Sequence, residues 1–315
     1  EWDLIIFDEA HHLSSTLRFG IFSTLKSTKY LFLSATLSDR LLVDIELILK
    51  CKLPKLSLNL KQAIEKGIIP VPKVYIVPLE LDNTHKNCTI IEEWGKKESQ
   101  IQIKCDYYKR WEYLKNKKQY PNVILTMECT ELAKYQYLTD KYSYWKNRYF
   151  VTRNEALKFK WLQFGIQRKR FLGDIKTKYI KYLLEKLEDK RYICFCSSIE
   201  QANILNSKTA IHSEKSDSLE LISKFNNKEI DTLFAVGMTR EGQNLVDLHS
   251  CIIAQLDGQE LQFIQKFGRG VRAKEPILFI FYYKETRDQE YLDKIIPNID
   301  PNHINYVEDL INFKL

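Results

Sequence analysis

Residues 192–212 read YICFCSSIEQANILNSKTAIH. Residues 192–196 are apolar or aromatic without a polar break. Ser197-Ser198 then open a stretch with helical spacing, and 209–212 start another short strand. An unbroken apolar run of this length fits a strand covered on both faces, the habit of a parallel sheet. The alternation continues outward. Residues 177–187 have an amphipathic helical pattern, 218–226 a helix, 232–236 a strand, and 250–255 a strand. Residues 260–267 then read as a helix, 277–282 as a strand and 289–295 as a helix. Strands separated by helices of this length predict βαβ units in a parallel sheet flanked by helices, an α/β fold. There is no internal repeat of fixed period and no low-complexity tract.

Toward the N-terminus the pattern is sparser. Residues 4–7 (LIIF) and 30–33 (YLFL) are short apolar runs expected to be parallel strands covered on both faces, and 39–50 have helical periodicity. Residues 67–70 (GIIP) read as a linker. Residues 71–81 (VPKVYIVPLEL) read as extended, with Pro72 and Pro78 restricting them to an edge or entry strand. Residues 85–175 are irregular, with helices expected near 98–118, 129–147 and 154–164.

The 315 residues suffice for two ordinary domains. No apolar run reaches membrane length and no secretory pattern opens the chain, so a soluble, cytoplasmic protein (in its own or a host cell) is expected, without membrane partners. The seven cysteines sit mostly in strand-like stretches, which suggests reduced thiols; Cys194 and Cys196, two apart, share one side of their strand. The chain opens without Met, two residues before an apolar strand, and is expected to be a piece of a longer protein. The net charge of +7 is uneven: residues 95–190 hold 23 Lys and Arg against 11 Asp and Glu, together with 18 of the 39 aromatic residues.

Several polar clusters follow the predicted strands. Asp8-Glu9-Ala10-His11 succeeds the first, at the carboxyl edge where open α/β sheets hold ligands. An Asp there suits Mg²⁺ and the neighbouring Glu suits a water aligned on a phosphoryl group. Ser34-Ala35-Thr36 follows the second strand. A polar loop, GMTREGQNL, spans 237–245. In 265–272 (QKFGRGVR), Gln265, Arg269 and Arg272 share a helical face, and two planar guanidinium groups suit a γ-phosphate. Within the basic segment, cations alternate with aromatics: Lys109, Arg110 and Trp111; Trp145 and Lys146; Arg168, Lys169 and Arg170. Cations neutralise phosphates and aromatic rings offer bases a stacking surface, although the same residues also suit a helical subdomain with its own small core.

DEAH, SAT, TREGQNL and QKFGRGVR, in this order, resemble motifs II, III, V and VI of superfamily 2 helicases. YICFCSS falls where motif IV stands. The resemblance implies RecA-like lobes: a C-terminal remnant of lobe 1 in residues 1–69, and lobe 2 in 70–315 with a basic, aromatic-rich helical insertion at about 85–175. It further implies an ATP-dependent helicase or translocase using ATP and Mg²⁺. Asp8 would serve the Mg²⁺ ion and Glu9 the attacking water, with Arg269 and Arg272 as arginine fingers. His11, Ser34, Thr36 and Gln265 would couple the lobes. Gly242 and Asn244 would face the nucleotide, Asn244 standing where many relatives carry Asp. Ser197 and Thr239 would touch nucleic acid, expected to be DNA rather than RNA. One element of the pattern does not occur in the 315 residues: Gly-x-x-x-x-Gly-Lys-Ser/Thr, the phosphate loop, which this family carries upstream of DEAH. The implied partner is therefore an N-terminal RecA-like half, and the isolated chain is expected not to turn over ATP. Two alternatives stand beside the motor: a non-catalytic nucleic-acid-binding module derived from one, and the motor subunit of a restriction-like system.

Overall fold

In the computed structural model, the described residues are 2–34, 37–58, 60–68, 70–187, 190–237, 245–256 and 276–314. The strands are β1 (Ile5–Phe7), β2 (Tyr30–Phe32), β3 (Lys73–Leu79), β4 (Cys88–Trp94), β5 (Ile101–Asp106), β6 (Val123–Cys129), β7 (Tyr192–Phe195), β8 (Ala210–Ile211), β9 (Thr232–Ala235), β10 (Ser250–Ile253), β11 (Ile277–Tyr283) and β12 (Ile304–Tyr306). The α-helices are α1 (Thr16–Thr24), α2 (Asp39–Leu49), α3 (Leu60–Glu65), α4 (Trp111–Leu114), α5 (Glu131–Thr152), α6 (Glu155–Ile175), α7 (Thr177–Glu185), α8 (Ile199–Asn206), α9 (Ser218–Asn226) and α10 (Arg287–Ile295).

Seven strands form one sheet in the order β12-β3-β11-β10-β7-β9-β8, and every pairing in it is parallel. Every residue of β7, β10 and β11 is buried, as expected for strands covered on both faces. On one face Phe195, Cys251 and Ile280 pack with Phe225 of α9 and Leu292 of α10. On the other, Cys194, Phe279 and Phe281 pack with Ile180 and Leu183 of α7 and with Leu138 and Phe171 from the bases of α5 and α6.

The expectation that 71–81 lie at an edge needs correcting, because β3 runs between β11 and β12. Pro78 is tolerated there for a local reason. β12 pairs only with residues 74–76 of β3, and Val307 N–H donates to Ile76 O at 2.9 Å. Backbone groups two residues apart point the same way, so the Pro78 nitrogen faces the side that β12 has already left. No ladder hydrogen bond is lost.

Residues 85–175 are helical only in part. Their first half is a three-stranded mixed sheet in the order β4-β6-β5, with β4 antiparallel and β5 parallel to β6. The helix expected near 98–118 is instead β5 followed by the short α4. In β6, Val123, Leu125, Met127 and Cys129 are buried and Ile124, Thr126 and Glu128 are not, the period of a one-sided strand. Gly95 turns the chain out of β4 with φ +84°, and a Cβ there would sit 2.2 Å from Pro121 O. It is thus a turn glycine. The second half is an α5–α6 helical hairpin, reversed at Arg153 in left-handed conformation and capped at Asn154, whose side chain accepts from Ala156 N–H at 2.9 Å.

Residues 2–68 carry the third sheet, the parallel pair β1-β2, with Ile5 opposite Tyr30 and Phe7 opposite Phe32. α1 and α2 cover one face, where Phe7 stacks on Phe32 at 5.2 Å and meets Phe22 edge-on at 5.3 Å. The other face differs from expectation: Ile6, Leu31 and Leu33 are 44–54% exposed. The described residues supply helices to one side of this pair only.

Candidate nucleotide and nucleic-acid site

The β1–β2 register brings the DEAH and SAT segments to one edge. Leu33 N–H donates to Phe7 O at 2.9 Å, and Ala10 N–H donates to Leu33 O at 2.8 Å. Asp8, one residue beyond β1, is exposed, and its Oδ1 accepts the Glu9 N–H at 2.9 Å. Glu9 adopts φ 49°, ψ 49°, a left-handed conformation uncommon for a residue with a Cβ and one that concentrates at functional sites. This reversal starts the short 3₁₀ turn of residues 10–14 and folds the His11 ring back over the edge. There His11 Nδ1 lies 3.3 Å from Glu9 Oε2 and 3.2 Å from Ser34 Oγ. Asp8, Glu9, His12 and Arg18 line an open cleft of about 220 Å³ beside this cluster. His12 and Arg18 were not anticipated; only their proximity to DEAH in sequence could have suggested them.

The donor set suits Mg²⁺. That ion keeps several of its waters and needs only one or two protein carboxylates beside substrate phosphates. Asp8 offers one exposed carboxylate, and no group of three or more His, Cys, Asp or Glu side chains among the described residues forms an all-protein cage.

Thr36, Thr239, Gly242, Asn244, Gln265, Arg269 and Arg272 lie outside the described residues, as does the helix expected at 260–267. The described chain leaves the large sheet at Gly237 after β9 and at Leu256 after β10, both at its carboxyl edge.

Ser197, beyond the end of β7, is occupied within the fold. Its hydroxyl lies 3.0 Å from Asp174 Oδ1 and 3.1 Å from Gln201 Oε1, and Ser198 Oγ donates to the same Asp174 oxygen at 2.9 Å. Burial raises the Asp174 pKa above the ordinary carboxylate value, and the two hydroxyl hydrogen bonds oppose that rise. Gly173 is required at this junction, since a Cβ would sit 2.1 Å from the Ser197 Cβ. One turn on, Lys176 is fully buried. Its Nζ donates to Ala254 O at 2.9 Å and lies 2.5 Å from Asp288 Oδ2, on a residue 1% exposed. Apart from Ser197, this junction of α6, β7, β10 and α10 lies outside the residues expected from the sequence.

The basic segment divides. Lys109 and Trp111 are exposed, whereas the Arg110 guanidinium lies 3.7 Å from the Tyr107 ring centre and donates to Tyr107 O at 2.7 Å. Trp145 and Lys146 are half-buried on α5, with Lys160 Nζ 4.5 Å from the Trp145 ring centre. Lys169 and Arg170 are exposed on α6. Arg168 departs from the expected phosphate contact. It is 8% exposed, with its guanidinium 4.4 Å from the Tyr142 ring centre inside the hairpin seam. A guanidinium laid on an aromatic face is held there by cation–π attraction and planar stacking.

Residues 175–274 match the helicase conserved C-terminal domain, a match that begins where α6 ends. No curated protein matches the chain. Among solved structures, Saccharomyces cerevisiae Dbp5 bound to RNA and ADP BeF3 is 14% identical, with a TM-score of 0.53 over 97% of this chain and 59% of that one. Mss116p bound to ssRNA and AMP-PNP is 12% identical, with a TM-score of 0.52 over 98% of this chain and 48% of that one. The chain thus spans about half the length of the solved structures it resembles. These likenesses establish the RecA-like fold, with its large parallel sheet flanked by helices.

Proposed function

Starting from a chain that carries the helicase conserved C-terminal domain on a RecA-like fold of the superfamily 2 kind, we propose an ATP-dependent nucleic-acid helicase or translocase. The observation that carries this reading is the His11 ring, within 3.3 Å of Glu9 and 3.2 Å of Ser34. It ties the acidic strand end to the turn after β2. Bound Mg²⁺–ATP would supply the electrophilic phosphorus and its charge-neutralising ion. Asp8 would hold the ion through its outward carboxylate oxygen. Glu9, kept at the edge by its left-handed backbone, would orient a water in line with the γ-phosphate. His11 would pass any displacement of Glu9 to Ser34.

Two features support residues 1–69 as part of a first lobe and 70–315 as a second. The open face of β1-β2 is apolar, as a larger lobe interior would be, and no phosphate loop occurs in the 315 residues. The chain alone is therefore expected to give no ATP turnover. In a longer chain that includes a phosphate loop, Glu9→Gln is expected to lower turnover by about 10²-fold or more while sparing nucleotide binding. Turnover unchanged by Glu9→Gln would remove Glu9 from the chemistry.

Nucleic acid is the proposed partner. Lys109, Lys146 and Lys169 are among the cations of the basic segment that would meet phosphates, and Trp111, 52% exposed, is a ring that would meet a base. RNA accompanies Dbp5 and ssRNA accompanies Mss116p in their structures, so RNA takes precedence over DNA in this proposal. Anisotropy with RNA and DNA oligonucleotides of one sequence distinguishes them.

A further inference from the structure

α6 is apolar on two opposite faces. Its inner line, Leu157, Trp161, Phe164, Arg168 and Phe171, has the alternating spacing of four and three residues that keeps a helix turned toward one neighbour. α5 answers with Tyr135, Leu138, Tyr142, Trp145 and Tyr149 at the same spacing. Gly165 admits the close approach, since a Cβ there would lie 3.3 Å from the Tyr142 ring. The outer line is Phe159, Leu162 and Ile166, exposed by 69%, 48% and 59%. These residues lie nearly half a turn around the helix from Trp161, Phe164 and Arg168, away from α5. A helix apolar on both faces is normally covered on both.

The outer line is symmetric in a chemically specific way. Glu155 stands four residues before Phe159 and Arg170 four residues after Ile166, so the pattern reads the same about its centre at Leu162-Gln163 with charge reversed between its ends. Antiparallel packing of two such helices sets Phe159 against Ile166 of the other copy, the two Leu162 side chains together at the axis, and Glu155 against Arg170 at both ends. Glu155 meets Lys158 of its own helix at 3.0 Å but is 73% exposed, so it can also face a partner. Aliphatic Leu162 and Ile166, closed at one end by a carboxylate, do not suit a phosphate backbone.

We propose that the protein self-associates through this face of α6, as an isologous two-fold pair centred on Leu162. The line spans residues 155–170, about 24 Å of helix, a short interface of the weak size class, for which the concentrations to cover are roughly micromolar and above. Sedimentation velocity of the full chain through that range tests it. The wild type is expected to pass from monomer to dimer. Leu162→Lys, at an exposed position that preserves the thermal midpoint, is expected to stay monomeric throughout. Glu155→Arg is expected to weaken the dimer at least tenfold, and adding Arg170→Glu to restore it. A wild type that stays monomeric, or a charge exchange that fails to restore association, overturns the proposal. So does a monomer whose oligonucleotide affinity falls in Leu162→Lys, which would make the face a nucleic-acid contact.

Discussion

β11 and α6 both bury aromatic rings, by different rules. All seven residues of β11 (ILFIFYY) are buried, and none carries a charge. α6 packs Trp161 and Phe164 beside Arg168, whose charge lies flat on Tyr142. Beside the sheet, the fully buried charge of Lys176 has its partner Asp288 buried with it. In the hairpin, charge is admitted at the seam because one side of the seam stays near water. The parallel sheet is thus intolerant of single charge removals and the hairpin tolerant of them.

The largest expected effect follows from the buried pair. Lys176→Met strands the Asp288 carboxylate and is expected to cost about 3–5 kcal/mol in urea unfolding. Adding Asp288→Leu is expected to recover most of that loss, because two apolar groups leave no unpaired charge. Failure of the double variant to recover would mean that the hydrogen bond from Lys176 to Ala254 carries the junction instead.

Trp161→Ala should be smaller and local, at about 2 kcal/mol, because the ring is half-buried among Tyr142, Tyr149 and Phe150. Amide exchange is expected to quicken in α5 and α6 and to stay unchanged in β7, β10 and β11. Equal acceleration in the sheet would abolish the distinction between the two regions.

The smallest effect concerns thiols. All seven cysteines stand outside disulfides; Cys51 is exposed, whereas burial pushes the Cys129 thiol up to about 11. At pH 8 Cys129 has almost no thiolate, so iodoacetamide is expected to label Cys51 first and Cys129 only after unfolding. Early labelling of Cys129 would show the β4-β6-β5 sheet opening on its own.

Within the large sheet, β7, β10 and β11 were legible because they are short apolar runs spaced by helical patterns. β12 was not: it is three residues long, and Asn305 and Tyr306 are exposed. β5 reads as helix in the sequence because Gln102 and Lys104 interrupt its apolar residues, and two-residue alternation in so short a stretch competes with helical spacing. At the candidate site, the adjacency of DEAH and SAT followed from two strands ending at one edge. The burial of Arg168 did not, since it depends on the register of two long helices. The same holds for Ser197, whose hydroxyl is claimed by Asp174 and Gln201 across the junction that Gly173 permits.

As proposed, this chain would engage nucleic acid for an ATP-driven motor. The most direct measurement is the affinity of the 315-residue chain for a single-stranded RNA oligonucleotide, without nucleotide, as salt is raised. Contacts from Lys109, Lys146 and Lys169 predict that log K falls linearly with log salt, with a slope of about −2, as three phosphate contacts on a single strand require. No detectable binding at low salt, or an affinity indifferent to salt, would contradict the account.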